Sequence, residues 1–204
     1  KKDWRLGEFL AEEYHRRGRH EEALRLAWEQ FTESPRLENY QKLQAHARKA
    51  GRSSWPQWRE RALAHIRESI AGQKKQKGRQ KTYRQRQEAD YSELVRIFLW
   101  EKRYDEAWQE ALAGGCTNEL WMKLAAMREQ EHPQDALSIY RERVAPLVEM
   151  TNNAAYEQAI EILSKIRKLF ARLGRETEFD DYLVALRVEF KRKRNFIKLL
   201  DAIR

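Results

Sequence analysis

A short phrase recurs three times in this chain, and it limits the possible folds more than any other feature. It reads "GRHEEAL" at 18–24, "KRYDEAW" at 102–108 and "HPQDAL" at 132–137. Each copy joins a polar, glycine or proline break to acidic or amide residues, an alanine and a bulky apolar residue. Acidic residues favour a helix N-terminus, and a small alanine lets the new helix approach the previous one closely. The phrase therefore predicts pairs of packed helices. We expect the alanine of each phrase to be buried at a helix–helix contact: Ala23, Ala107 and Ala136.

The composition favours helices along the whole chain of 204 residues. Only 8 glycines and 4 prolines interrupt a sequence rich in Ala, Leu, Glu, Gln, Lys and Arg, which have high helix propensities. Apolar residues recur at the spacings of amphipathic helices, with links of about 2–6 residues that force neighbouring helices to run antiparallel. We predict an all-α fold of about ten helices, arranged as antiparallel helix pairs in a tetratricopeptide-like (TPR-like) α-solenoid. The alternative is an irregular helical bundle.

The spacing within the first phrase agrees with the tetratricopeptide pattern. Tyr14, Gly18, Ala23 and Pro35 match its aromatic residue, its break, its alanine and its closing proline. Two later segments fit this spacing in part, and "GRETEF" at 174–179 repeats it faintly. Several instances in a chain of helix pairs favour the solenoid over the bundle.

The net charge of +9 is concentrated in two short segments, 72–87 and 191–194. Both segments contain basic residues and no acidic residue, while basic and acidic residues nearly balance elsewhere. This distribution suggests N-terminal helix pairs at 1–71, a basic connecting segment at 72–89 and C-terminal helix pairs at 90–204, within one continuous solenoid.

The two basic segments are the candidate binding sites for nucleic acid or for an acidic protein. Dense positive charge attracts phosphate through counterion release, and an aromatic ring can stack on a base. The alternative for the first segment is a solvated linker, and "KRKR" at 191–194 can serve the C-terminus of a helix, where cations suit the helix dipole. The candidate residues are Lys74, Lys75, Lys77, Arg79, Lys81, Tyr83, Arg84, Arg86, Lys191, Arg192, Lys193 and Arg194.

Four longer stretches resemble the helical C-terminal region of bacterial SWIM zinc-finger proteins. They are "YHRRGRHEEALRLAWEQFTESPRLENYQKL" (14–43), "LVRIFLWEKRYDEAWQEALAGGC" (94–116), "NNAAYEQAIEILSKIRKLFARLGRETEF" (152–179) and "KRKRNFIKLLD" (191–201). The zinc motif of those proteins, Cys-x-Cys followed by Cys-x-His, is absent, since the chain has 1 cysteine. The resemblance implies a helical piece of a larger protein whose zinc module lies upstream.

No catalytic, metal or cofactor site is predicted. The 5 histidines lack the i, i+4 pairing of a helical zinc site, and His15 and His20 lie on either side of a glycine break. Cys116 is placed at a helix start, which lowers a thiol pKa, but no motif supplies a base. Acidic pairs such as Glu21–Glu22 and Asp105–Glu106 fit helix N-termini better than acid–base catalysis.

The sequence therefore predicts a non-catalytic protein-interaction scaffold, with an unidentified protein partner bound in a groove lined by the first helix of each pair. The alternative is an accessory nucleic-acid-binding module that uses 72–87 and 191–194. No apolar run approaches the roughly 18 residues of a membrane span, and the N-terminal residues do not form a signal peptide. We expect a cytoplasmic protein and no membrane partner.

Overall fold

The computed structural model describes residues 4–51, 53–77 and 90–203. Within these residues it contains eleven helices and no strand. The all-α prediction is therefore confirmed. The helices are α1 (Trp4–Arg16), α2 (His20–Glu33), α3 (Leu37–Ala50), α4 (Trp55–Lys77), α5 (Ser92–Trp100), α6 (Tyr104–Gly114), α7 (Asn118–Arg128), α8 (Pro133–Glu149), α9 (Asn153–Arg172), α10 (Glu176–Glu189) and α11 (Arg194–Asp201).

The chain divides into two compact units, Lys1–Thr117 and Asn118–Arg204. In the first unit, α1 packs on α2, α2 on α3, and α5 on α6, while α3 and α4 both contact α5. Helices on both sides of the predicted connector at 72–89 thus belong to this one unit. In the second unit, α9 is the central helix, since α8, α10 and α11 all pack against it.

The alanines of the three phrases are buried, as the sequence predicts. Ala23, Ala107 and Ala136 each have 0% of their surface exposed. They lie in α2, α6 and α8, which pack against α1, α5 and α7. A larger side chain at any of these positions would separate the two helices of the pair.

The turn between α1 and α2 is fixed by four residues. Gly18 adopts the left-handed conformation, with φ of +71°, that commonly ends a helix. The Arg19 backbone N–H then donates to the Tyr14 carbonyl at 2.8 Å. The Arg19 guanidinium lies 4.6 Å from the Tyr14 ring centroid and donates from Nε to Glu22 at 2.8 Å. One arginine therefore links the end of α1 to the first turn of α2.

The same contacts occur at two further turns. Their members are Phe98, Lys102, Arg103 and Glu106, and Phe170, Gly174, Arg175 and Glu178. The backbone bonds from arginine to the aromatic residue are 2.9 and 3.0 Å, and the guanidinium lies 5.9 and 5.6 Å from the ring. The bonds from arginine to glutamate are 2.8 and 2.5 Å. We call the three turns, at 14–22, 98–106 and 170–178, the arginine turns.

The third sequence phrase does not form an arginine turn. At 132–137 the His132 N–H donates to the Arg128 carbonyl at 2.8 Å, and Pro133 begins α8. The third arginine turn instead lies at 170–178, where the sequence gives only the faint echo "GRETEF". The turn depends on a left-handed residue followed by arginine, rather than on the alanine that makes the phrases look alike.

Two helices extend past features that can end a helix, the loss of the apolar pattern after Ile70 and Pro146, which predicts an end or a kink. The apolar pattern of α4 stops near Ile70, but the helix runs to Lys77 and so enters the basic segment. Pro146 lies inside α8, which continues to Glu149. Proline removes a backbone donor, which is tolerated here because Pro146 lies on the exposed side of the helix, where water can bind the freed carbonyl.

Replacing Lys102 with glycine is expected to stabilise the protein. Lys102 has φ of +61°, a conformation that costs a side-chain-bearing residue about 1 kcal/mol. Lys102→Gly should raise the free energy of unfolding by about 0.5–1 kcal/mol in urea titrations. The matched control is the reverse change at the equivalent residue, Gly18→Ala, where no described atom lies within 4 Å of an added Cβ. It should lower the free energy by about 1 kcal/mol. If both changes shift the free energy of unfolding in the same direction, the two turns are not equivalent.

Candidate functional site

A groove of about 490 Å³ runs between α8 and α10 in the second unit. Leu137 and Leu186 are buried and form part of its floor. The lining residues are Gln134, Leu137, Ser138, Arg141, Glu142, Ala145, Arg175, Tyr182, Leu186 and Glu189. An apolar floor bordered by charged side chains is the usual form of a site that binds an extended or helical segment of another protein.

Arg141 and Tyr182 contact each other across the α8–α10 groove. The Arg141 guanidinium lies 4.8 Å from the Tyr182 ring centroid, within the range of a cation–π interaction. Burial raises the pKa of Tyr182 to about 12, although the Arg141 charge acts in the opposite direction. The phenol therefore stays protonated at neutral pH and can donate to a bound partner.

The helices that line this groove are the second helices of their pairs, whereas the sequence leads us to expect a groove lined by first helices. Both α8 and α10 follow the break within a pair, and both pack against the first helix α9. The buried residues of α9 recur at helical spacing on one face: Ala155, Tyr156, Ala159, Ile162, Leu163, Ile166, Leu169 and Phe170. This face packs within the second unit.

The first unit contains a larger groove of about 750 Å³ at the turn from α2 to α3. Ala45 is its one lining residue with an apolar side chain, and the others include Glu33, Glu38 and Lys42. It has no counterpart to the buried leucines of the α8–α10 groove, which is therefore the stronger candidate for protein binding.

The basic candidates fall into three groups. Lys74, Lys75 and Lys77 lie in the last turns of α4, whereas the candidates at 79–86 lie outside the described residues. The four at 191–194 lie in the second unit, three of them in the turn from α10 to α11 and Arg194 at the first residue of α11. They are Lys74, Lys75 and Lys77; Arg79, Lys81, Tyr83, Arg84 and Arg86; and Lys191, Arg192, Lys193 and Arg194.

The sequence suggests that the patch at 191–194 closes a helix, but α10 ends before it, at Glu189. The next residue, Phe190, is buried against Phe196 at 5.8 Å between ring centroids. Lys193 lies 3.7 Å from the Glu149 carboxylate, while Lys191, Arg192 and Arg194 are exposed.

A cluster of three histidines and two glutamates connects the first three helices, and we call it the histidine cluster. His15 Nδ1 lies 2.8 Å from His20 Nδ1, and His15 Nε2 lies 2.9 Å from His46 Nδ1. His46 Nε2 in turn lies 3.3 Å from Glu8 Oε1. Glu12 lies at the edge of the cluster. Its pKa is lowered by hydrogen bonds from Lys49, at 2.5 and 2.6 Å.

The sequence-based prediction considered only the spacing of His15 and His20 in the sequence, so it missed the cluster. Two signals were present. Glu8, Glu12 and His15 are spaced i, i+4 and i+7, so they share one face of α1. His46 is a histidine at a position that the apolar pattern of α3 buries. The contact between the α1 residues and His46 depends on how α1 packs on α3, and no local sequence pattern specifies that packing.

No protein-family model, curated protein or solved structure matches the chain. Within the described ranges, the helices are all too short or too polar to cross a membrane.

Proposed function

We propose that the chain is a non-catalytic protein-interaction scaffold, built as a TPR-like helical repeat, that binds a protein segment in the α8–α10 groove. The observation that carries this proposal is the groove itself, whose apolar floor is flanked by Arg141, Arg175 and Glu189. Mixed charges around an apolar floor favour a partner that inserts an apolar side chain and pairs its own charges with the rim.

The arginine turns support the helical-repeat part of this proposal. They repeat one set of backbone and side-chain contacts at 14–22, 98–106 and 170–178. Between them lie the pairs formed by α3 with α4 and by α7 with α8. A common turn geometry would give each pair a similar entry angle, which is the requirement for regular stacking.

The groove can be tested with one charge reversal. Arg141→Glu removes the cation over Tyr182 and reverses the charge of the rim, so we expect the partner's affinity to fall by about ten-fold or more. The measurement is quantitative affinity capture with cross-linking, followed by titration of the recovered partner against each variant. Lys168→Glu makes the same charge change on an exposed part of α9 outside the groove and should bind like the wild type.

Two results would count against this site. A partner that binds Arg141→Glu as tightly as the wild type does not use the groove. If no partner cross-links to groove residues, the scaffold proposal loses its binding site.

The resemblance to SWIM zinc-finger proteins supports a wider proposal. We infer that this scaffold is the helical region of a larger bacterial, cytoplasmic protein of that type, with its zinc module upstream. The support is the sequence resemblance of four segments between residues 14 and 201. Reading the complete gene tests the proposal, because it requires Cys-x-Cys followed by Cys-x-His ahead of this region.

Binding of nucleic acid is the second candidate function, and the exposed cations at 191–194 favour it. Lys191, Arg192 and Arg194 lie together at one turn. If they and the basic segment at 72–87 bind phosphate, affinity for a fluorescent oligonucleotide should fall steeply with salt. Neutralising Lys191, Arg192 and Arg194 should then lower the salt slope by roughly 2–3. An absence of binding near physiological salt would reject this alternative for the chain.

A further inference from the structure

We infer that Glu8, Glu12 and His46 form a binding site for a divalent metal ion of the zinc class. Each residue offers one ligand atom, and the three atoms lie within 4.8 Å of one another. Zinc holds its ligands at about 2.0–2.2 Å, so atoms bound to one ion are separated by about 3.3–3.6 Å. Small rotations of the two glutamates therefore suffice to bring the ligands onto a common ion.

The buried histidine gives the site its rigidity. His46 is only 2% exposed, and its ring stacks on that of His15 with an angle of 8° between the planes. A metal-binding histidine usually donates its second ring N–H to a neighbouring acceptor, which fixes its tautomer. His15 Nε2, at 2.9 Å from His46 Nδ1, is placed to be that acceptor. The Nε2 atom of His46 is thereby directed toward Glu8.

An unsatisfied oxygen lies in the same place. Oε2 of Glu8 is buried and makes no hydrogen bond to any described residue, although Lys42 Nζ lies 3.4 Å away. Buried carboxylate oxygens normally have a hydrogen-bond partner or a metal. A bound metal ion would be a closer partner for this oxygen than the Lys42 ammonium, which it would displace.

The histidine chain lets the site accept a metal without gaining or releasing a proton. Without metal, one placement of the protons on three neutral rings gives each contact a donor and an acceptor. His20 Nδ1–H donates to His15, His15 Nε2–H donates to His46, and His46 Nε2–H donates to Glu8. When the metal occupies His46 Nε2, all three tautomers reverse. His46 Nδ1–H then donates to His15, His15 Nδ1–H donates to His20, and the third proton lies on His20 Nε2. The number of protons is the same in both states.

The charges around the cluster are compatible with this reversal. Lys49, which pairs with Glu12, must release that carboxylate when the metal binds. Both side chains of the pair are 46% exposed, so the ammonium can move into water, and exposed pairs of this kind contribute little.

The ligand types select zinc over the hard cations. One imidazole and two carboxylates, with a fourth position open to water, form a three-ligand set of the kind that zinc accepts. Magnesium and calcium prefer shells made of oxygen alone. The zinc motif of the SWIM proteins uses cysteines, so this site has a different ligand chemistry.

The test is a zinc titration of chelator-treated protein against a chromophoric competitor. We expect one zinc per chain at the cluster, a rise in melting temperature on binding, and visible absorption with cobalt as the probe. Glu12→Gln, at an exposed position, should weaken zinc binding by about ten-fold or more while the protein stays folded. Glu8→Gln is the second ligand variant. His132→Gln removes a histidine from the second unit and is the control, expected to bind like the wild type.

A second measurement identifies the site independently of stability. In two-bond ¹H–¹⁵N spectra, zinc should change His15 from the Nε2–H to the Nδ1–H tautomer. The proposal is overturned if folded protein does not bind zinc at micromolar concentration. It is also overturned if Glu8→Gln and Glu12→Gln both bind zinc like the wild type, or if the His15 tautomer is the same with and without zinc.

Discussion

Replacement of Glu101 by glutamine is expected to lower the free energy of unfolding by about 3 kcal/mol. Glu101 lies at the end of α5 and is 10% exposed, and its partner Arg59 in α4 is 14% exposed. The variant leaves the part-buried guanidinium with only Glu60, an exposed carboxylate at 2.9 Å, as its counter-charge. Removing one partner of a largely buried ion pair is the costly way to disrupt it. Urea denaturation followed by circular dichroism provides the measurement.

The geometry explains why the effect should be large. Arg59 donates to Glu101 Oε1 from Nε at 2.9 Å and to Oε2 from Nη2 at 2.7 Å, so the pair is bidentate. The Tyr40 hydroxyl also donates to Oε1 at 2.6 Å. These bonds join α3, α4 and the end of α5. Because the three partners come from three helices, loss of the carboxylate weakens the whole unit.

The pH dependence provides a second test of the Glu101 prediction. Burial by itself would raise the pKa of Glu101, but hydrogen bonds from Arg59 and Tyr40 outweigh burial and hold it below the ordinary value. A carboxylate with a lowered folded-state pKa stabilises the fold above its unfolded pKa of about 4.3 and loses this effect as the pH falls. The difference between wild type and Glu101→Gln should therefore shrink below about pH 4.

The control for Glu101 is its exposed neighbour in the arginine turn. Glu106 pairs with Arg103 where both side chains are more than 40% exposed, so Glu106→Gln should cost less than about 1 kcal/mol. Equal costs for the two variants would contradict the view that the buried position makes the Glu101 pair important.

Replacement of Gly114 by alanine is expected to destabilise the protein by about 2 kcal/mol, even though alanine is the better helix former. A Cβ at Gly114 would lie 1.9 Å from Cδ2 and 2.5 Å from Cγ of the Tyr91 ring. These atoms are close to the base of the side chain and cannot move far. The Tyr91 N–H also donates to the Gly115 carbonyl at 3.1 Å, which holds the ring over the end of α6.

A double-mutant cycle distinguishes this contact from other effects of glycine. In a Tyr91→Ala background the obstacle is removed, and Gly114→Ala should become neutral or stabilising. Gly7→Ala is the matched control, because Gly7 lies in α1 and no described atom lies within 4 Å of an added Cβ. It should stabilise by up to about 1 kcal/mol. A loss of stability from Gly114→Ala that persists without the Tyr91 ring would rule out the proposed clash.

Local patterns predicted the helices well, because capping and periodicity act within a few residues. Asn152 is the clearest case. The segment "TNN" at 151–153 predicts a helix cap, and the Asn152 side chain accepts from the Ala155 N–H at 2.9 Å. Ser54 shows where such reasoning stops. The segment "SSWP" predicts Ser53 or Ser54 as the cap of α4, but the Ser54 hydroxyl donates back to the Ala47 and Gly51 carbonyls at the end of α3. A serine between two helices can cap the start of the second or hydrogen-bond to the end of the first. The packing of the two helices determines which of these occurs.

The candidate sites were harder to predict because their parts are distant in sequence. Glu101 lies 42 residues from Arg59 and 61 from Tyr40, and His46 lies 31 from His15. The α1 helix shows the same limit for apolar residues. Its apolar residues, Trp4, Leu6, Phe9, Leu10 and Tyr14, are spaced like one buried face, yet Leu6 and Phe9 are 55% and 61% exposed. The face of α1 that packs on α3 instead carries Glu8 and Glu12, which the charge pattern alone assigns to solvent.

The arginine turns also have a consequence for how the chain folds during synthesis. Each turn makes its defining contacts within nine residues, at 14–22, 98–106 and 170–178. The entropy lost in closing so short a loop is small, and contacts this local favour rapid folding. A nascent chain can therefore form each helical hairpin soon after its second helix leaves the ribosome, before the rest of the protein has been translated.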